Sequence, residues 1–83
     1  MIKTVTILDV EDRATTVFGV VVSVNGVIQY DGLSKKFIDE LKEGIVGRNG
    51  KRFTPDDGDA FLEELQYQFS GSRIRATAPK ERQ

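Results

Sequence analysis

Neither cysteine nor histidine occurs among the 83 residues. The first absence removes any disulfide framework and every thiolate ligand or nucleophile. The second removes the commonest general base and the commonest metal ligand. Catalysis would have to run on carboxylates or lysine, and no pair of them converges: Glu63 and Glu64 are neighbours on a predicted helix and point in different directions. The chain therefore reads as no enzyme, with no cofactor and no metal.

A charge excess is missing too. Twelve Lys/Arg stand against thirteen Asp/Glu, a net of −1, with −2 in residues 1–43 and +1 in residues 44–83. Neutralising phosphates supplies much of a nucleic-acid binder's affinity, so a dedicated one carries a clear positive balance. No apolar run is long enough to span a bilayer. The opening "MIKTVTILDV" alternates threonine with aliphatics, unlike the apolar stretch of a secretory leader. The expected compartment is the cytoplasm, with no membrane partner. The length suits one domain, expected over residues 1–78, with "PKERQ" (79–83) as a disordered, polar C-terminal tail.

What is present is periodicity. "KTVTILDV" (3–10) alternates as a strand does, and "TVFGVVVSV" (16–24) is nearly unbroken in β-branched and aromatic residues. Asn25-Gly26 then separates it from "VIQY" (27–30). That dipeptide between apolar runs marks a two-residue hairpin, because a type I′ turn needs positive φ at both central positions. From residue 34 the period changes. Ser34 can cap a helix whose stripe is Leu33, Phe37, Ile38 and Leu41, with Gly44 as its stop. Thr54, Pro55, Asp56 and Asp57 open a second helix with stripe Phe61, Leu62, Leu65 and Phe69. "SRIRATA" (72–78) alternates again as a strand. The acids of "DDGD" (56–59) suit a helix's first turn better than a calcium loop, since Gly58 and Ala60 fall where ligands belong.

The resulting order, β-β-β-α-α-β, predicts a two-layer α+β domain: a small, mainly antiparallel sheet with two helices on one face. The hairpin register sets Val24 opposite Val27, Val22 opposite Gln29 and Val21 opposite Tyr30. One face then carries Phe18, Val20, Val22, Val24 and Val27. The other carries Val17, Val21, Ile28 and Tyr30, interrupted by Gly19 and Ser23. Two short helices cover one face only. The second set is the expected partner interface, for a protein partner or for a homodimer, unless the 45–53 loop or the terminal segment folds over it.

A second set of residues surrounds the glycines of "GIVGRNGKRFT" (44–54). As a turn, Asn49-Gly50 joins two short arms between the helices. As chemistry, Ile45-Val46-Gly47-Arg48-Asn49-Gly50-Lys51-Arg52-Phe53 resembles the signature of the KH family of single-stranded nucleic-acid binders: two aliphatics, Gly-x-x-Gly, then an apolar residue. That resemblance covers nine residues. It implies that Gly47, Arg48, Asn49 and Gly50 clamp a sugar-phosphate backbone, with Lys51 and Arg52 adjoining. In that family the second helix begins almost at the second glycine, whereas Thr54-Pro55 starts it here. Arg73 and Arg75 share one strand face about 7 Å apart and can hold an anion or form a solvated surface. The function expected first is a small non-catalytic protein–protein interaction module, with single-stranded nucleic-acid binding through residues 45–53 as the alternative.

Overall fold

The computed structural model describes residues 1–71 and 73–82. Three long antiparallel strands come first: β1 (Ile2–Glu11), β2 (Ala14–Val24) and β3 (Val27–Asp31). Helix α1 (Lys35–Glu43) follows, then the two-residue strands β4 (Ile45–Val46) and β5 (Arg52–Phe53), a 3₁₀ turn at Pro55–Asp57, and α2 (Asp59–Gln68). β6 (Ile74–Ala76) and β7 (Lys80–Arg82) end the chain. The α+β domain with an antiparallel sheet and two helices is thus as expected. The main sheet has the order β3-β2-β1-β6, and β7 also pairs with β1.

Local chemistry explains most boundaries. Asn25 and Gly26 both take positive φ (51° and 85°), as the type I′ hairpin requires. Ser34 accepts the Phe37 N–H at 3.2 Å, and the Gly44 N–H closes α1 on the Leu41 carbonyl at 3.0 Å. Before α2, the Thr54 N–H donates to the Asp57 carboxylate at 2.8 Å. The second helix does not run unbroken from Pro55. Gly58, at φ 60°, lies against the hairpin turn, where a Cβ would meet the Gly26 carbonyl oxygen at 2.8 Å. The chain kinks there, and α-helix begins at Asp59.

Two stretches end differently from the sequence reading. Lys80–Arg82, expected within a disordered tail, pairs with Ile2–Thr4 of β1; Gln83 lies outside the described residues, as does Ser72 at the expected start of β6. The pairing of β1 with β2 slips from Ile7↔Gly19 to Leu8↔Val17, leaving Phe18 as an extra, bulged residue. A bulge breaks the alternation of side chains. Phe18 therefore turns to the helix side, its ring 6.2 Å from that of Phe37, and Val17 turns to the opposite face with Leu8.

The core is the layer between sheet and helices. Val5 and Ile7 of β1 and Val21 of β2 meet Leu41, Ile45, Phe61, Leu62 and Leu65, all buried. Ser23 lies on the same face, buried, and its hydroxyl donates to Asp59 at 2.6 Å. Lys3 reaches the other Asp59 oxygen at 3.3 Å. The start of α2 is thereby pinned to the middle of the sheet. The Ser23 hydrogen bond, helped by Lys3 and opposed by partial burial, holds the Asp59 carboxyl below its usual range.

Two outcomes test this anchoring. Gly58→Ala puts a side chain into a strained backbone and against Gly26, and costs roughly 1–3 kcal/mol of stability, read as a lower urea midpoint with an unchanged slope. The stabilisation from Asp59 is present above the unfolded carboxyl's pKa of about 4 and is lost as pH falls through its lower folded value. Asp59→Asn flattens that acid limb of the stability–pH curve.

Candidate functional site

All elements outside the sheet pack on the Val5–Ile7–Val21 side. The face they cover is the one that Gly19 and Ser23 interrupt, and this corrects the sequence expectation. Val21 is fully buried, while Ile28 and Tyr30 are partly buried against the core. Tyr30 keeps a buried hydroxyl with no hydrogen-bond partner among the described residues, and desolvation pushes its pKa up. Of the four expected interface residues only Val17, 63% exposed, lies on the open face, and the bulge put it there.

The opposite face is the open one. Thr4 and Thr6 of β1 stand on it opposite Val22 and Val20, and its apolar residues are Leu8 and Val10 of β1 and Val17, Val20, Val22 and Val24 of β2, with Ile2 and Val27 at one end. Five of these (Leu8, Val10, Val20, Val22, Val24) are partly buried by their neighbours, while Ile2, Val17 and Val27 are exposed. Among the described residues no helix or loop lies over them. The two margins differ in charge. Arg75, Lys80 and Arg82 stand on the β6/β7 side, and Asp31 on β3 at the other.

The 45–53 stretch is a hairpin. Ile45 pairs with Phe53 and Val46 with Arg52. The Gly47 N–H donates to the Lys51 carbonyl at 2.8 Å, and the Gly50 N–H to the Gly47 carbonyl at 3.1 Å. Gly50 takes φ 77°, which the turn needs. Gly47 is small for a packing reason: a Cβ would meet the Phe53 ring at 2.5 Å and a Glu64 oxygen at 2.6 Å. The helix that begins almost at the second glycine in the resembled family starts here nine residues after Gly50, at Asp59.

Its cations are largely engaged within the fold. Glu64, with its side chain 7% exposed, accepts the Arg48 backbone N–H at 3.1 Å and Nε at 3.0 Å. The Arg48 guanidinium also lies 4.0 Å from the centre of the Tyr67 ring. Arg52 donates to the Glu43 carbonyl, and Lys51 sits 5.7 Å over Phe53. Asn49 accepts the Lys51 N–H. Arg73 pairs with Asp9 at 2.8 Å and with Glu11. Arg73 and Arg75 are thus not a matched pair: Arg73 is tied to acids at the end of β1, and Arg75 stands opposite Leu8 on the open face. The hollow between α2 and β7, about 360 Å³, is edged by Lys3, Arg48, Glu63 and Glu81, two charges of each sign, and makes no anion cradle.

Sequence reasoning missed Glu64 and Ser23. Glu64 falls at helical spacing with Phe61 and Leu65, on the apolar stripe itself, which is the signal for a buried, partnered acid. Ser23 is a polar residue inside a valine run, which signals a buried hydroxyl with a partner. Among the described residues no group of three acids gathers to hold a metal, and no helix is long and apolar enough to cross a membrane. Comparisons with protein-family models, curated proteins and solved structures give no match to this chain.

Glu64→Ala leaves the Arg48 amide and guanidinium without their acceptor. It costs roughly 1.5–3 kcal/mol, and its amide shift changes centre on residues 47–53 in a ¹⁵N spectrum. Tyr30→Phe removes a buried hydroxyl with no partner among the described residues, and is neutral or stabilising within about 1 kcal/mol in the same denaturation assay.

Proposed function

We propose that this chain is a small non-catalytic interaction module that associates with a second copy of itself through the open face of its sheet. One observation supports the reading: a valine-rich strip along β2, joined by Ile2, Leu8 and Val10 of β1 and interrupted on β1 by Thr4 and Thr6, with no helix above it among the described residues. Contiguous exposed apolar surface on that scale marks an association surface. A two-layer α+β chain whose sheet is apolar on both faces needs a third layer.

Area and charge favour a second copy as that layer. Strands of ten and eleven residues run roughly 33 Å at about 3.3 Å per residue, and four strand positions at about 4.8 Å spacing give a width of about 19 Å. Each face is then roughly 600 Å², and two of them bury roughly 1,200 Å², the lower bound of stable specific interfaces. A two-fold axis parallel to the strands lays β3 of one copy over the β6/β7 margin of the other. Asp31 then approaches the margin bearing Arg75, Lys80 and Arg82, twice over. Aligned face-to-face packing also accommodates the twist of the two sheets.

Val22 lies near the middle of this face. Val22→Lys is expected to lower the mass of the assembly seen by light scattering, while the circular dichroism spectrum stays that of the parent. An unchanged mass, or a parent protein monomeric at high concentration, contradicts the proposal.

A further inference from the structure

The sheet also has an unfinished edge. β2 pairs with β1 from Ala14 to Val24, but with β3 only from Val20 to Val24. β3 stops there for a steric reason. Gly32, at φ 78°, turns the chain away, and Gly19 is so close that a Cβ on it would meet the Asp31 carbonyl oxygen at 2.6 Å and Leu33 at 2.8 Å. Ala14, Thr15, Thr16, Val17 and Phe18 are left exposed, and among the described residues no strand lies along their outer side. In a strand every other residue turns both its N–H and its C=O to the same neighbour, so this ledge presents open donors and acceptors.

Edges of this kind are ordinarily blunted by charges, proline or a bulge, and here the bulge lies at Phe18, the end of the ledge next to β3. Ala14–Phe18 contains neither charge nor proline, and four of its five residues are of the β-branched or aromatic types that favour strands. We propose that this ledge is a strand-addition site, and that its occupant is the same segment of a second copy, antiparallel and centred on Thr16. In that register Thr15 faces Val17, Ala14 faces Phe18, and no like charges meet. The ends add a complementary pair. The hairpin tip of one copy arrives where β3 of the other stops, bringing Arg13 beside Asp31, and the two-fold repeats the contact.

This contact is distinct from the one between sheet faces. Its axis stands perpendicular to the sheet, so both apolar floors remain on one side and become a single wider floor. The face-to-face axis lies parallel to the sheet.

The test uses the Val22→Lys chain, in which the face contact is disabled, followed by sedimentation velocity. That chain is expected to be a dimer. Adding Thr16→Lys or Thr16→Glu sets like charges opposite each other on the two-fold and yields monomers; mixing the two variants in equal amounts restores the dimer. A Val22→Lys chain already monomeric overturns the edge contact and leaves the face contact standing. Variants that stay monomeric on mixing overturn the edge contact in this register. Should a Thr16 variant fail to fold, hydrogen exchange on the Val22→Lys chain decides: among the amides of residues 14–18 that face away from β1, protection that falls on dilution supports the site, and exchange independent of concentration overturns it.

Discussion

A sheet has two faces, and the helices of this chain bury one. That constraint governs the rest of the structure. In a domain this short the helices are nine and ten residues long, enough to roof the stretch from Val5 to Val21 and no more. The sequence nonetheless places aliphatic residues on both sides of β2. Sequence pattern, strand register and packing meet in one consequence: an apolar surface whose burial requires another layer.

The covered face is set by fit as much as by hydrophobicity. Gly19 admits the Asp31–Leu33 turn, and Ser23 gives the start of α2 a hydrogen bond through Asp59. A face of unbroken valines offers neither clearance nor an anchor. Glu64 performs the matching task at the other end, binding the backbone and side chain of Arg48 so that the β4–β5 hairpin lies along α2. Two acids in α2, one near its start and one in its middle, thus tie the helix to the sheet and to the hairpin. Both act by accepting hydrogen bonds from groups that would otherwise lack partners on burial.

Much of this was legible beforehand. The Asn25-Gly26 turn, the Ser34 cap and the apolar stripes of both helices carry local signals, and the structure has each; the Thr54-Pro55 signal opens only a 3₁₀ turn, and the α-helix waits until Asp59. The choice of face was not legible, because Gly19 and Ser23 look like blemishes until the elements that need them are in place. The bulge at Phe18 leaves no mark in the alternation it interrupts, so Val17 was assigned to the wrong side. β7 has the polar sequence Lys-Glu-Arg, and tertiary pairing with β1 makes it a strand. The packing of Gly47 was not legible for a related reason: it answers to a nearby ring and carboxylate, contacts that adjacent residues do not disclose.

The central claim is that the valine-rich face of β2 is covered by the same face of another copy. The most direct measurement is an isotope-filtered nuclear Overhauser experiment on an equal mixture of labelled and unlabelled chains. The account predicts intermolecular contacts among the methyl groups of Leu8, Val20, Val22 and Val24. The contradictory result is no contact between chains, with those methyl signals broadened by a soluble paramagnetic probe as fully as those of exposed Val46.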